Sequence, residues 1–192
     1  MAAGQGQSGG AGKRRNITLI GMPGAGKSTL GVVLAKKLGY SFVDTDLVLQ
    51  EQTGKLLSEI LTESGVEGFI RQENAMLAGL DYDHHIIATG GSAVYSEDGM
   101  RNLENISRIV YIRVSLDELR GRLNMNLLDR GVVIRHGSTL DDLYAERTPL
   151  YEAYADDTVT TTGLTTVESI ARLYETLHID SSTAEDDFHV GA

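Results

Sequence analysis

Residues 17–30, ITLIGMPGAGKSTL, decide the fold of this chain. A short apolar run, residues 17–20, leads into a glycine-rich segment, residues 21–28, that fits the pattern G-x-x-x-x-G-K-[ST] in full, and a helical pattern follows. A strand, a glycine-rich turn and a helix in this order bring backbone N–H groups and a helix N-terminus onto a phosphate. The sequence therefore predicts a loop that binds the phosphates of a nucleotide.

The phosphate loop, residues 21–28, also supplies two side chains with chemistry of their own. Lys27 has the length to reach the β- and γ-phosphates, and the Ser28 hydroxyl is placed to bind Mg²⁺. A glycine-rich turn that binds nothing is the alternative, and the agreement of lysine, hydroxyl and flanking elements disfavours it. Lys27 is also expected to act in catalysis. The residues expected to bind the nucleotide here are Gly21, Gly24, Ala25, Gly26, Lys27, Ser28 and Thr29.

Composition limits what the chain can do. It has 192 residues, a formal net charge of −10 and no cysteine. One domain is expected at this length. The negative charge disfavours bulk attraction to nucleic acid or to an anionic membrane, and the lack of cysteine excludes disulfides and thiolate catalysis. No apolar run approaches the roughly 18 residues that span a bilayer. We therefore expect a cytoplasmic protein without nucleic-acid or membrane partners, a monomer or a weak dimer.

Between its ends the chain alternates short apolar runs with helical patterns. Strands are predicted over residues 17–20, 41–43, 85–89, 109–114 and 158–161. Helices are predicted over residues 28–38, 56–61, 69–80, 116–123, 139–155 and 166–177. This alternation is typical of an α/β fold, a parallel sheet with helices on both faces. The ends lack it, so residues 1–15 are predicted to be a flexible tail, residues 16–179 the domain, and residues 180–192 a flexible acidic tail.

The phosphate loop does not say what is done with the nucleotide. The base-reading string N-K-x-D and the switch string D-x-x-G of GTPases do not occur in the sequence. The chain is also too short for a large motor ATPase. A kinase that phosphorylates a small molecule or a nucleotide fits this size.

Residues 16–178 resemble the shikimate kinase family. Besides the phosphate loop, the resemblance rests on residues 43–46 (VDTD), Phe69 with Glu73, residues 88–92 (ATGGS), Arg122, and residues 146–151 (ERTPLY), in order and at the family's spacing. It implies a P-loop kinase with a five-stranded parallel sheet and a mobile lid, about residues 124–138, that closes over ATP. It also implies ATP and Mg²⁺ as cofactors, and as acceptor a hydroxyl group on a small carboxylate metabolite of amino-acid biosynthesis.

On the donor side the resemblance assigns roles to single residues. Asp44, with Ser28, resembles the carboxylate that holds Mg²⁺, and Asp46 resembles the acid that binds the acceptor hydroxyl and is able to act as its base. Helix capping is the other interpretation of two acids after a strand. Arg122 resembles the residue that stacks on adenine, with an exposed helix arginine as the alternative.

On the acceptor side, Gly90 and Gly91 resemble the backbone turn that faces the substrate, where the lack of a Cβ allows a close approach. A plain tight turn is the alternative. Arg147 resembles the arginine that binds the substrate's carboxylate in a bidentate fork, unless it pairs with a neighbouring acid. The residues expected at the acceptor are Asp46, Ile70, Glu73, Gly90, Gly91 and Arg147.

Three features depart from the family pattern. Ile70 stands where the family has an arginine after the phenylalanine, and the neighbouring Arg71 is turned roughly 100° away around a helix. Ser92 replaces the third glycine of the usual triplet. The lid lacks the family's Arg-Pro pair. We therefore take Arg130 as the catalytic arginine of the lid, with Arg135 as the alternative.

The isoleucine at position 70 changes what the acceptor is expected to be. It leaves Glu73, on an apolar helix stripe, without its usual partner unless Arg147 or Arg71 takes that place. A pocket with a free carboxylate favours an acceptor with an ammonium group as well as a carboxylate and a primary hydroxyl. We therefore expect homoserine. The alternatives are shikimate, with Arg71 or a lid arginine covering for the missing one, a nucleotide or nucleoside, and a nucleotide-binding protein without turnover.

Overall fold

The computed structural model describes residues 14–122, 133 and 137–178. Most of both predicted tails and of the predicted lid, including Arg130 and Arg135, lies outside the described residues. The elements in chain order are β1 (Asn16–Ile20), α1 (Lys27–Leu38), β2 (Ser41–Asp44), α2 (Thr45–Thr53), α3 (Leu57–Ala78), β3 (His85–Ala88), a 3-10 turn (Ala93–Tyr95), α4 (Glu97–Ile106), β4 (Ser107–Arg113), α5 (Leu116–Arg122), α6 (Leu140–Tyr154), β5 (Asp157–Thr160) and α7 (Thr166–Leu177).

The five strands form one parallel sheet in the order β2-β3-β1-β4-β5, which confirms the predicted fold class. All residues of the central strand β1 are buried because both faces of the sheet are covered. The connection from β1 to β2 and the connection from β3 to β4 run in opposite directions along the sheet. Right-handed crossovers therefore place α1 and α4 on opposite faces, where α1 packs against α7 and α4 against α3.

The strand register brings the ends of three strands to one edge of the sheet. Ala88, the last residue of β3, pairs with Leu19 of β1 on one side and with Asp44 of β2 on the other. The phosphate loop after β1, the acids at the end of β2 and the glycines after β3 therefore meet at the carboxyl edge. Ligands of open α/β sheets bind at this edge.

The helices differ from the sequence prediction in three places. Neither α2 nor α4 is predicted from the sequence, and the two predicted pieces 56–61 and 69–80 belong to one long α3 that is interrupted at Gly65 (φ 68°, ψ −179°). The α2 helix begins directly after a strand, where the Asp44 side chain accepts a hydrogen bond from the Asp46 N–H at 3.0 Å. Among the described helices none is long and apolar enough to span a membrane.

Candidate active site

A cavity of about 460 Å³ opens at the carboxyl edge of the sheet. Its walls combine the phosphate loop with four of the six predicted acceptor residues, whereas Ile70 and Glu73 are not among the residues that line it. A nucleotide and a second small molecule would share this space. The lining includes Lys27, Ser28, Asp46, Gly90, Gly91 and Arg147.

The phosphate loop has the backbone that a phosphate requires. Gly24 and Gly26 take positive φ values of 78° and 92°, which residues with a Cβ rarely adopt. Helix α1 begins after Gly26 with no side-chain cap and no acid in its first turn. Its first N–H groups therefore lack a side-chain acceptor, and an anion at this helix terminus would supply one.

Lys27 is buried beside this helix terminus. Its Nζ donates to the carbonyl oxygens of Gly21 at 2.8 Å and Met22 at 2.9 Å. Burial lowers the pKa of Lys27 to about 8, although Asp46 and Asp44 act in the opposite direction. The ammonium group is thus held at the loop, where a phosphate would compensate its lost hydration.

The two predicted metal ligands lie side by side. The Ser28 hydroxyl donates to Asp44 Oδ2 at 2.6 Å, and the backbone bond from Asp46 fixes the other carboxylate oxygen. Mg²⁺ prefers such oxygen ligands and keeps several waters. The described residues contain no cluster of three or more His, Asp or Glu that could hold a metal. Ser28 and Asp44 therefore fit an ion whose remaining ligands are phosphate oxygens and water. When bound, such an ion would neutralise phosphate charge.

Arg122, at the end of α5, contacts the phosphate loop but is not among the residues that line the cavity. Its Nη1 donates to the Gly24 carbonyl at 3.0 Å, and its Nη2 pairs with Glu118. The side chain is therefore anchored against the phosphate loop from the end of α5, within reach of a nucleotide in the cavity. Its predicted stacking on adenine stays a prediction.

On the acceptor side, two carboxylates converge on Gly90. A Cβ built on Gly90 would lie 2.6 Å from Asp46 Oδ1 and 2.8 Å from Glu73 Oε1. The Gly90 N–H donates to the Thr45 hydroxyl at 3.2 Å, which ties the turn to the start of α2. Gly91 is crowded from the other side, because its Cβ would lie 2.6 Å from Cδ of Pro23 in the phosphate loop.

Burial raises the pKa of both acceptor-side acids. The pKa of Asp46 rises to about 6, with Asp44 adding to the effect and Lys27 opposing it. The pKa of Glu73 rises to about 7 because the side chain is only 1% exposed. A hydrogen bond from Ser92 holds that rise back, so the serine in the third triplet position supports the glutamate.

Among the described residues, none forms an ion pair with the Glu73 carboxylate. Its Oε2 atom is buried and makes no hydrogen bond. Arg71 is exposed on α3, with its guanidinium beside Gly68, so it does not replace the missing arginine. In this structure Arg71 therefore does not take the place of the arginine that the family has at position 70.

Arg147 is 1% exposed and reaches the cavity from α6. Its Nε donates to the Tyr95 hydroxyl at 3.1 Å and its Nη2 to the Val133 carbonyl, while Nη1 is buried without a partner. Among the described residues, Arg147 thus donates hydrogen bonds to the Tyr95 hydroxyl and the Val133 carbonyl, and the Tyr151 hydroxyl also interacts with its guanidinium. An anionic ligand in the cavity would find a free donor.

The structure corrects the position of Ile70. This side chain does not line the main cavity; it faces a small neighbouring cavity together with Val66, Tyr95 and Arg147. A residue at position 70 therefore borders the main cavity only indirectly, from behind Arg147. The physical reason is the helix period, since Phe69 and Glu73 lie on the buried face of α3.

Three residues that contact site residues in the structure have no role predicted from the sequence. Thr45 and Tyr95 carry no motif signal, because each acts on a partner that is distant in sequence. Ser92 is visible only as a departure from the family triplet.

Comparisons with known proteins point to one family. A family model for shikimate kinase matches residues 23–178. The shikimate kinase of Vibrio parahaemolyticus is 38% identical over 154 residues, which cover 78% of this chain and 88% of that protein. The shikimate kinase of Pseudomonas fluorescens is 39% identical over 152 residues, which cover 77% of this chain and 87% of that protein.

Solved structures show the same similarity. The structure of shikimate kinase from Acinetobacter baumannii in complex with shikimate superposes with a TM-score of 0.73 at 25% identity, over 85% of this chain and 92% of that one. The shikimate kinase of Aquifex aeolicus gives the same TM-score and identity, over 85% of this chain and 96% of that one.

Proposed function

The chain belongs to the shikimate kinase family, and from that membership and the charges of its site we propose that it phosphorylates a small zwitterionic hydroxy acid, best represented by homoserine. As a member of this family the chain is an ATP-dependent small-molecule kinase with a hydroxyl acceptor. The relatives are shikimate kinases, whereas the charges of this site favour a zwitterionic acceptor.

One observation carries the proposal: Glu73 is buried beside the acceptor turn with a free oxygen and no arginine at position 70. A buried charge is costly unless it is paired. A ligand ammonium group would pair with Glu73, and the neighbouring Asp46 would add to the attraction. An acceptor with only a negative charge would leave that carboxylate uncompensated.

The other end of homoserine also finds a partner. The free Nη1 of Arg147 suits the ligand's carboxylate. In this proposal, an amino acid lies with its carboxylate toward Arg147, its ammonium toward Glu73 and its hydroxyl toward Asp46. Lys27 faces the phosphoryl group being transferred and stabilises charge that develops there. Asp46 positions the hydroxyl and accepts its proton.

Shikimate is the second candidate, favoured by the relatives. The kinase from Acinetobacter baumannii was solved with shikimate bound, and Asp46, Gly90 and Arg147 line the cavity of this chain. Shikimate carries one carboxylate and no ammonium group. Its use would therefore require a protonated Glu73, a form that is populated at neutral pH because the pKa of Glu73 is about 7.

The decisive measurement is ADP release from Mg²⁺–ATP with homoserine, shikimate and 4-hydroxybutyrate in parallel, with water as background. The last compound keeps the carboxylate and the primary hydroxyl of homoserine but lacks its ammonium group. The proposal predicts turnover with homoserine, at least about tenfold lower kcat/KM with 4-hydroxybutyrate because one charge-assisted contact is lost, and little turnover with shikimate.

The variant Glu73→Gln serves as the internal control, because it keeps the shape of the side chain and removes its charge. It should reduce the preference for homoserine over 4-hydroxybutyrate. Efficient turnover of shikimate without turnover of homoserine would reject the zwitterion and leave the family's namesake substrate.

A further inference from the structure

Tyr95 lies at the end of the 3-10 turn Ala93–Tyr95, a few residues after the acceptor turn at Gly90 and Gly91. Its hydroxyl accepts a hydrogen bond from Arg147 Nε at 3.1 Å. Its ring also lies under the guanidinium, with Arg147 Cζ 5.1 Å from the ring centroid. One tyrosine therefore contacts the arginine both through a hydrogen bond and through the face of an aromatic ring.

The donors of Arg147 show which edge of the guanidinium remains available. A guanidinium has five N–H donors in a fixed plane. The N–H on Nε donates to the Tyr95 hydroxyl, and one N–H on Nη2 donates to the Val133 carbonyl. Within the described residues Nη1 is buried and makes no hydrogen bond, although the Tyr151 hydroxyl interacts with the guanidinium, and Arg147 lines the main cavity. The end of the fork that carries Nη1 is thus the part left for a ligand.

We propose that Tyr95 is a positioning residue that fixes the orientation of Arg147 and thereby sets the affinity for the acceptor's carboxylate. This inference rests on the proposed function, because it assigns the free end of Arg147 to that carboxylate. A long, flexible arginine loses conformational freedom when it binds a ligand, and a side chain that is already held in place loses less.

The surroundings of Tyr95 support a polar role over simple packing. The residue is half-buried, and it borders the small cavity that also contains Ile70, Glu146 and Arg147. Burial raises the pKa of Tyr95, and the hydrogen bond with Arg147 acts against that rise. The phenol is therefore neutral at physiological pH, and its hydroxyl interacts with Glu146 as well as with Arg147.

The test compares Tyr95→Phe with Tyr82→Phe. The first variant keeps the ring and removes the hydroxyl that accepts from Arg147. The second is a matched control, because Tyr82 stacks on His85 at the opposite edge of the sheet, 4.6 Å between ring centroids. With homoserine and with shikimate as acceptors, Tyr95→Phe should raise the acceptor KM about tenfold, the range of one hydrogen bond to a charged group. We expect kcat and the KM for ATP to stay within about twofold.

The variant Tyr95→Leu removes both the hydroxyl and the aromatic ring, whereas Tyr95→Phe removes the hydroxyl alone. Tyr95→Leu should therefore raise the acceptor KM further than Tyr95→Phe. A purely structural role would instead lower kcat and the affinities for both substrates together, or lower thermal stability without changing KM. Either result, or an unchanged acceptor KM in Tyr95→Phe, would overturn the inference.

A second readout does not need an acceptor. In protein with ¹⁵N-labelled arginine, the Arg147 Nε–H signal should exchange slowly with water and should shift or disappear in Tyr95→Phe but not in Tyr82→Phe. If the wild type uses neither acceptor, the proposed function fails and the inference is judged on this signal alone. An Nε–H signal that is the same in all three proteins would reject the inference.

Discussion

Asp46 and Glu73, which belong to different helices, direct their carboxylates to the same point beside Gly90, 2.6 Å and 2.8 Å from the place where a Cβ would stand. Burial raises the pKa of both acids, and the charge of Asp46 adds to the rise at Glu73. The pair concentrates negative charge at the acceptor end of the cavity. Lys27 and Arg147 are the cations that face it.

Replacing the glycine between these acids should damage the acceptor site selectively. We expect Gly90→Ala to raise the acceptor KM or abolish turnover, because its Cβ would overlap both carboxylates, while the KM for ATP changes little. Steady-state kinetics with each substrate varied will measure this. Gly79→Ala is the control, since a Cβ there would meet its nearest atoms at an ordinary 3.6 Å. Equal kinetics in the two variants would contradict the close approach.

The pH dependence of turnover should report on Asp46. Its pKa lies near 6 because of burial and the neighbouring Asp44, and it must be ionised to accept the hydroxyl proton. We expect kcat/KM to fall as the pH decreases through about 6. Asp46→Asn should lower kcat by about 10²–10⁴-fold, the usual contribution of a general base. The exposed Asp81→Asn should leave the profile unchanged, and a fall in kcat of less than a few fold in Asp46→Asn would argue against a base.

Glu73 should make the protein less stable at neutral than at mildly acidic pH. Its pKa in the folded state, about 7, is higher than the ordinary 4.5, so the folded protein retains a proton that the unfolded chain releases. The stability conferred by this retained proton is therefore complete below about pH 4.5 and is lost as the pH rises to about 7, a change of up to about 3 kcal/mol at 1.36 kcal/mol per pH unit. Asp46 changes stability in the same direction between about 4 and 6.

The measurement is urea unfolding of wild type and Glu73→Gln at pH 5 and pH 8. Glu73→Gln should be more stable than wild type by about 1–3 kcal/mol at pH 8, and the gain should shrink at pH 5. Glu67→Gln is the control, an exposed acid on the same helix. A stability difference that does not vary with pH would show that Glu73 has no raised pKa.

Restoring a cation at position 70 should change acceptor preference. In Ile70→Arg the new side chain lies three residues before Glu73 on α3, a spacing at which helix side chains meet. The pair would neutralise Glu73, so the ratio of kcat/KM for homoserine to that for shikimate should fall by at least about tenfold. Ile70→Met keeps the site apolar and should preserve the ratio. An unchanged ratio in Ile70→Arg would remove position 70 from the specificity argument.

The fold was largely predictable from local patterns. The apolar run before Gly21 and the helix after Lys27 are both at the expected places, and all five strands pair in parallel. The α2 and α4 helices were not predictable in this way. In α2 the Asp44 cap and the tertiary contacts with α3 compensate for a weak apolar pattern, and in α4 only three residues are buried within a polar segment.

The sequence by itself determined the phosphate loop, the paired acids after β2 and the absence of an arginine at position 70, because a motif is a property of consecutive residues. Only the tertiary structure decided which groups share the acceptor end of the cavity. It showed that Arg71 is exposed, that Ile70 lies behind Arg147, and that Tyr95 holds the guanidinium. These relationships join residues from separate helices and turns, and parallel strand pairing and helix packing set their distances, which no local pattern records.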